Sequence, residues 1–143
     1  MIGVMSGTSL DGLDLALVEF NLIKGKWTYR YVSTTTTPYP DSWQKQLENA
    51  RFLEAEALAI LNRDYTTYLA EQIQLFIAQN PSYTIDLVCS HGHTVHHKPD
   101  QGITFQIGNQ RELSSHLKTT VVCDFRVQDV AFGGQGAPLV PGG

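Results

Sequence analysis

The chain has 143 residues, 42% of them hydrophobic and 17% charged, with fourteen acidic against ten basic side chains. That length suits one domain around a single core, and the acidic balance excludes the basic stripe with which nucleic-acid binders meet phosphates. No apolar run approaches a bilayer span, and Met1-Ile2-Gly3-Val4 lacks the basic start and apolar block of a signal peptide. A cytoplasmic protein with no nucleic-acid or membrane partner is expected. Cys89 and Cys123 each sit in an apolar run and read as small core residues of a reducing compartment, with a disulfide or redox pair as the alternative.

Ile2 to Met5 reads as a short strand, and Leu13, Leu15 and Leu17 alternate with Asp14, Ala16 and Val18 in a second, centrally placed one. Lys24-Gly25-Lys26 is a turn. Trp27 to Thr37, rich in β-branched and aromatic residues, is a third strand stopped by Pro38 and Pro40. Asp41 is placed to cap a helix through Leu47. A longer helix follows from about Leu53 to Gln79, with Leu58, Leu61, Tyr65, Leu69, Ile73 and Phe76 on one face. Ile85 to Cys89 reads as a strand, and Thr104 to Ile107 as a short one. Asn109 with Glu112 resembles a capping box for a helix through Leu117. Thr119 to Phe125 is the last predicted strand, and the chain after Arg126 reads as loop.

Three strands in a meander, followed by helix, strand, helix and strand, predict an α/β domain of the ribonuclease-H-like type. In it the antiparallel meander is extended by parallel strands with right-handed helical crossovers. Ligands gather where loops converge at strand ends. The loops after the first strand, after Cys89 and after Phe125 are therefore expected to lie near one another.

The first loop, within "GVMSGTSLDGLDLALVEF", carries more polar residues than a hairpin needs. Gly7 and Gly12 permit a tight turn and close approach, Thr8 and Ser9 add hydroxyls, and successive N–H groups can cradle phosphate oxygens. Asp11 and Asp14 beside a phosphate require a cation, and Mg²⁺ held directly or through water suits them. A polar turn satisfying its own backbone is the alternative. No Walker sequence is present, because a Gly-Lys-Ser/Thr ending is missing and a strand follows.

The second loop, "CSHGHTVHHKP", places His91, His93, His96 and His97 within seven residues. This raises a metal-dependent hydrolase as a second class, since His-x-His is a zinc spacing. Polar contact with a sugar through neutral imidazoles and a bland surface loop stay open beside it. In the third, "DFRVQDVAFGGQGAPLVP", Arg126 is placed to hold an anion by a bidentate fork, or to pair with Asp124 or Asp129. Gly133, Gly134 and Gly136 suggest backbone pressed against a ligand or another domain.

The stretches "GVMSGTSLDGLD", "SHGHTVHHKP…TFQIGN" and "VVCDFRVQDVAFGGQGAPLVP" together resemble the N-terminal part of the anhydro-N-acetylmuramic acid kinase family, relatives of sugar kinases, actin and heat-shock ATPases. Family members commonly carry Gln where His93 stands, and they are more than twice as long. The resemblance implies a two-lobed kinase of cell-wall recycling. It would open the 1,6-anhydro bridge of its sugar with water and phosphorylate O6 from ATP with Mg²⁺. On that basis residues 1–143 are the N-terminal lobe, and the second lobe is missing from this chain. Gly7, Thr8, Ser9, Leu10, Asp11, Gly12, Leu13 and Asp14 would bind ATP phosphates, and Asp11 and Asp14 the metal. His91, Thr94 and Arg126 would contact the sugar, and the general base would lie downstream. The tail from Gly133, with Leu139 and Val140, is expected to meet the other lobe, and homodimerisation of the full-length protein is left open.

Overall fold

In the computed structural model, residues 1–136 are described; Leu139 and Val140 fall outside them. Strands β1 (Ile2–Ser6), β2 (Gly12–Ile23) and β3 (Lys26–Pro38) form the expected antiparallel meander. Helices α1 (Asp41–Asn49) and α2 (Ala55–Ala78) follow, separated by a single 3-10 turn at Ala50–Phe52. Then come β4 (Leu87–Lys98), β5 (Ile103–Ile107), α3 (Arg111–Leu117), β6 (Thr120–Val122) and α4 (Phe125–Ala131). The sheet runs β3-β2-β1-β4-β5, and β6 also pairs with β4. β1 and β6 lie parallel to β4, as the crossover topology requires, whereas β5 returns antiparallel to it.

The core lies on one face of this sheet. Ile2 and Val4, Leu13, Leu15 and Leu17, Val88 and Ile107 supply it from the strands. The stripe Leu61, Tyr65, Leu69, Ile73 and Phe76 of α2, with Leu113 and Leu117 of α3, closes it, and Leu58 packs at its margin. Each such side chain contributes about 1.5–3 kcal/mol when fully buried. The opposite face carries Gly3, Met5, Asp14, Ala16, Cys89 and His91, and stays open along much of its length. Past Val18, whose backbone still bonds that of Met1, β2 is paired with β3 alone. This leaves a two-stranded ribbon whose one face shows Phe20, Leu22, Trp27, Tyr29 and Tyr31, each at least 45% exposed.

Several boundaries differ from the sequence reading, each for a local reason. β4 does not stop at Cys89 but runs on through the histidines, because β5 offers it a second partner from His93 to Lys98. The chain after Asp124 is not a loop: Asp124 turns left-handed at φ 61° and Phe125–Ala131 coils into α4, which cuts the last strand to three residues. Asp41 is the first helical residue and Pro40 the N-cap, with no side-chain cap bond. The capping box at Asn109 is absent too, since Gln110 is the N-cap and Asn109 donates instead to the His91 carbonyl at 3.1 Å.

Candidate active site

The turn between β1 and β2 is closed by Leu10 N donating to the Gly7 carbonyl at 3.3 Å, with Leu10 in the left-handed region at φ 58°. Ser9 Oγ donates to Asp11 Oδ1 at 2.6 Å, and this bond more than any other influence holds the exposed Asp11 carboxyl below its usual range. Asp14 faces the open side of β2, where Thr36 Oγ1 donates to its Oδ1 at 2.5 Å. Two solvent-facing carboxylates, each pinned by one hydroxyl, are a donor set suited to a hard cation. From the core side, Gln44 Nε2 of α1 donates to the Leu10 carbonyl at 3.1 Å and ties the helix to the turn. Gly12 serves the sheet: a Cβ there would stand 2.6 Å from the Thr37 carbonyl oxygen. Leu13 is fully buried, and its backbone lies in the ladder between Ser6 and Thr37.

On β4 the histidines part company. In a regular strand His91 and His93 would point to the same side. Between β1 and β4 the register slips, from Val4 opposite Ser90 to Ser6 opposite His93, so one extra residue of β4 is bulged out. Gly92, at φ 71°, absorbs it; a Cβ there would meet the Ile107 carbonyl oxygen at 2.5 Å. His91 consequently stays on the open face and His93 turns into the core, only 3% exposed. A second slip lies between Thr94 and His96. Across it Thr94, Gln106, Thr104 and His97 join in a polar ladder, with Gln106 Nε2 donating to Thr104 Oγ1 at 2.8 Å and His97 Nδ1 3.2 Å from the same hydroxyl. Among the described residues no three His, Cys, Asp or Glu side chains converge in a metal-binding group.

The first turn of α4 supplies Arg126, whose Nε donates to His91 Nε2 at 2.8 Å. His91 Nδ1 lies 2.9 Å from the Gly92 carbonyl, an acceptor, so that nitrogen carries the proton and Nε2 is free to accept. Burial first, then the Arg126 charge, lowers the His91 pKa and keeps the ring neutral near pH 7. No carboxylate salt-bridges Arg126 among the described residues, which leaves its terminal NH₂ groups for an incoming anion. Asp129 accepts instead from Gly136 N at 2.7 Å and folds the glycine segment back on α4. Asp124 lies 3.4 Å from Asn109 Nδ2.

Some of the site residues divide between two grooves, whereas Ser9, Asp11 and Arg126 line neither. One, of about 600 Å³, lies on the open face and is lined by Asp14, Thr36, Cys89, His91 and Phe125. The other, of about 380 Å³, joins the turn to the polar ladder and is lined by Thr8, Arg51, His93, Thr94 and His97. Thr94 therefore shares a groove with Thr8 of the turn and not with His91. Cys89 and Cys123 are free, half-buried thiols with pKa values raised by burial. Unforeseen in the sequence was a buried chain in which Tyr39 OH donates to Ser6 Oγ at 2.9 Å, Ser6 Oγ lies 2.9 Å from His93 Nδ1, and Tyr65 OH lies 2.6 Å from Tyr39 OH. Its members are far apart in sequence, and only the bulge brings His93 to Ser6.

An open α/β sheet whose first strand ends in a hydroxyl- and carboxylate-rich turn, beside a histidine paired with an arginine, has the architecture of a sugar-kinase-type fold. The family model described as anhydro-N-acetylmuramic acid kinase matches residues 1–142. Curated relatives of that name include those of Rhodopseudomonas palustris (40% identical, covering 98% of this chain and 40% of the relative) and Pseudomonas fluorescens (41% identical, 98% and 39%). A third, from Prochlorococcus marinus, is 39% identical over 99% of this chain and 38% of its own length. The chain belongs to the anhydro-N-acetylmuramic acid kinase family. It spans about 40% of the length of the curated relatives it matches.

Proposed function

We propose that this chain is the phosphate- and sugar-binding lobe of an ATP-dependent kinase. The whole enzyme opens the 1,6-anhydro bridge of 1,6-anhydro-N-acetylmuramic acid with water and phosphorylates O6. The observation that carries the reading is the turn at the end of β1, where Ser9 holds Asp11 by a hydrogen bond and whose strand pairs directly with β4, the strand bearing His91 and Thr94. Phosphoryl acceptor and donor must meet at one point, and phosphoryl transfer depends mainly on positioning and charge neutralisation. A Mg²⁺ ion, when bound, neutralises phosphate charge, and Asp11 and Asp14 would hold it directly or through water. Thr8, Ser9 and the turn N–H groups orient phosphate oxygens. His91, locked as the Nδ1–H tautomer, presents Arg126 to a sugar hydroxyl or carboxylate. No side chain of this chain is assigned as general base; that group belongs to the remainder of the enzyme.

The test is an ATP-to-sugar phosphate-transfer assay with 1,6-anhydro-N-acetylmuramic acid, run on the full-length protein and on residues 1–143. Transfer by the full-length protein and none by the isolated chain is expected. Near-full activity in the isolated chain would place the base here, with Asp124 and Asp129 the first residues to change. Activity in neither would end the kinase reading.

A further inference from the structure

The buried hydroxyl chain beneath the turn has no part in the binding roles assigned above, yet it touches both ends of the turn. Ser6 is the last residue of β1, so its backbone sets where Gly7 begins. Tyr39 follows Pro38, and Pro38 pairs with Gly12, the first residue after the turn. His93 comes from β4, next to Thr94 and two residues from His91. Ser6, Tyr39 and His93 are all 4% exposed or less, with His93 at the wall of the groove that Thr8 and Thr94 line.

The protons in this chain run one way. Tyr39 OH donates to Ser6 Oγ, so the Ser6 proton is left for His93 Nδ1, and Tyr65 OH donates to Tyr39. A buried hydroxyl that both accepts and donates has one satisfied rotamer, and leaving either partner unmade costs the full desolvation of that group. The backbone that bears it is fixed with it. Edge-to-face packing of His93 on Tyr65, with ring centroids 6.3 Å apart, restrains the imidazole as well.

We infer that Ser6, held by Tyr39 and His93, is a positioning residue that fixes the phosphate turn relative to the sugar-contacting strand β4. The inference rests on reading Gly7–Asp11 as the phosphate-binding turn. Because the brace links the turn to β4 and not to solvent, its loss should disturb the alignment of ATP with the sugar more than the affinity for either alone.

The experiment uses the full-length enzyme with Ser6→Ala, Ser6→Thr, Tyr39→Phe and His93→Gln. Hydrogen exchange by mass spectrometry reads the turn peptide, and steady-state kinetics reads the alignment. In Ser6→Ala, amide exchange across Gly7–Asp11 should rise by about tenfold, the worth of one buried hydrogen bond, while α2 keeps its protection. kcat should fall on the order of ten- to a hundredfold, with the KM for the sugar nearly unchanged. Tyr39→Phe should reproduce a milder form, and should decide the matter if Ser6→Ala does not fold. Ser6→Thr and His93→Gln, which keep a hydroxyl and an acceptor, should restore most of kcat. Unchanged turn exchange, faster exchange with wild-type kcat, or equal loss of protection throughout the core would each overturn the inference. A wild-type enzyme that transfers no phosphate would instead sink the kinase reading, and the exchange data would still decide whether the brace holds the turn.

Discussion

Replacing His93 by glutamine removes a titrating group from the core while keeping an acceptor for the Ser6 hydroxyl. Burial lowers the His93 pKa from 6.5 to about 4 in the folded chain, with the nearby His91 adding to the shift. The unfolded chain therefore takes up a proton between these values and the folded chain does not. The sign follows: His93 favours the folded state fully above pH 6.5, and that contribution drains away as pH falls toward 4. A gap of about 2.5 units at 1.36 kcal/mol each amounts to about 3 kcal/mol, of which about 2 kcal/mol is lost by about pH 5. Protonation also has a structural cost, because an Nδ1–H would confront the Ser6 proton and break the one-way order of the hydroxyl chain. Urea unfolding, followed by the fluorescence of Trp43 packed against Tyr65 and Tyr68, is the assay, at about pH 7.5 and about pH 5. Wild type should lose about 2 kcal/mol more than His93→Gln between the two conditions. His91, whose pKa is lowered too, titrates in both proteins and cancels in the comparison. Parallel pH dependences would refute the argument, and with it the assignment of a neutral, desolvated His93.

Other substitutions probe the same region. Gly92→Ala forces a left-handed alanine against the Ile107 carbonyl, a strain of about 1–2 kcal/mol before the overlap is counted; Tm by calorimetry should fall by at least about 6 °C. Asp11→Asn in the full-length enzyme should lower kcat at least tenfold, roughly the effect of losing a water-mediated metal partner, with an unchanged circular dichroism spectrum. His91→Ala should raise the KM for the sugar about tenfold, as the loss of a charge-assisted hydrogen bond predicts, with no change in metal content by elemental analysis.

The meander and the stripe of α2 were legible because each is written in local periodicity, and the parallel pairing of β4 followed from the order of elements and the helical crossover. Leu13, Leu15 and Leu17 alternate, and Leu61, Tyr65, Leu69, Ile73 and Phe76 recur at helical spacing, so no distant information was needed. The histidine segment was misjudged because its polar residues look like loop, and its strand exists only where Ile103–Ile107 returns to pair with it. α4 was missed for a related reason: seven residues interrupted by no cap signal carry little periodicity, and Asp124 starts the helix from a left-handed residue. The pairing of Arg126 with His91 instead of with an aspartate depends on that helix. The turn was legible as a chemical element because its side chains exceed what a hairpin requires. Its brace was not, since Ser6 and His93 are 87 residues apart and meet only through a one-residue slip.

The long ribbon of β2 and β3 bears on how this chain behaves in a test tube. β3 is the outer strand of the sheet, with its far edge unpaired among the described residues, and Phe20, Trp27, Tyr29 and Tyr31 stand exposed beside that edge. Such a strand is a template for another copy of itself. Lys24 and Lys26 stand at the tip of the same ribbon, where Arg30 is paired with Glu19 at 3.0 Å, and repulsion between the lysines of two approaching copies should oppose stacking. That repulsion reaches about 10 Å at 0.1 M salt and only about 3 Å at 1 M. Concentrated salt should therefore turn solutions of this chain cloudy where dilute buffer keeps them clear. Replacing Tyr29 and Tyr31 by threonine, which retains strand preference and sheds the aromatic surface, should remove the turbidity without touching the turn at the other end of the sheet.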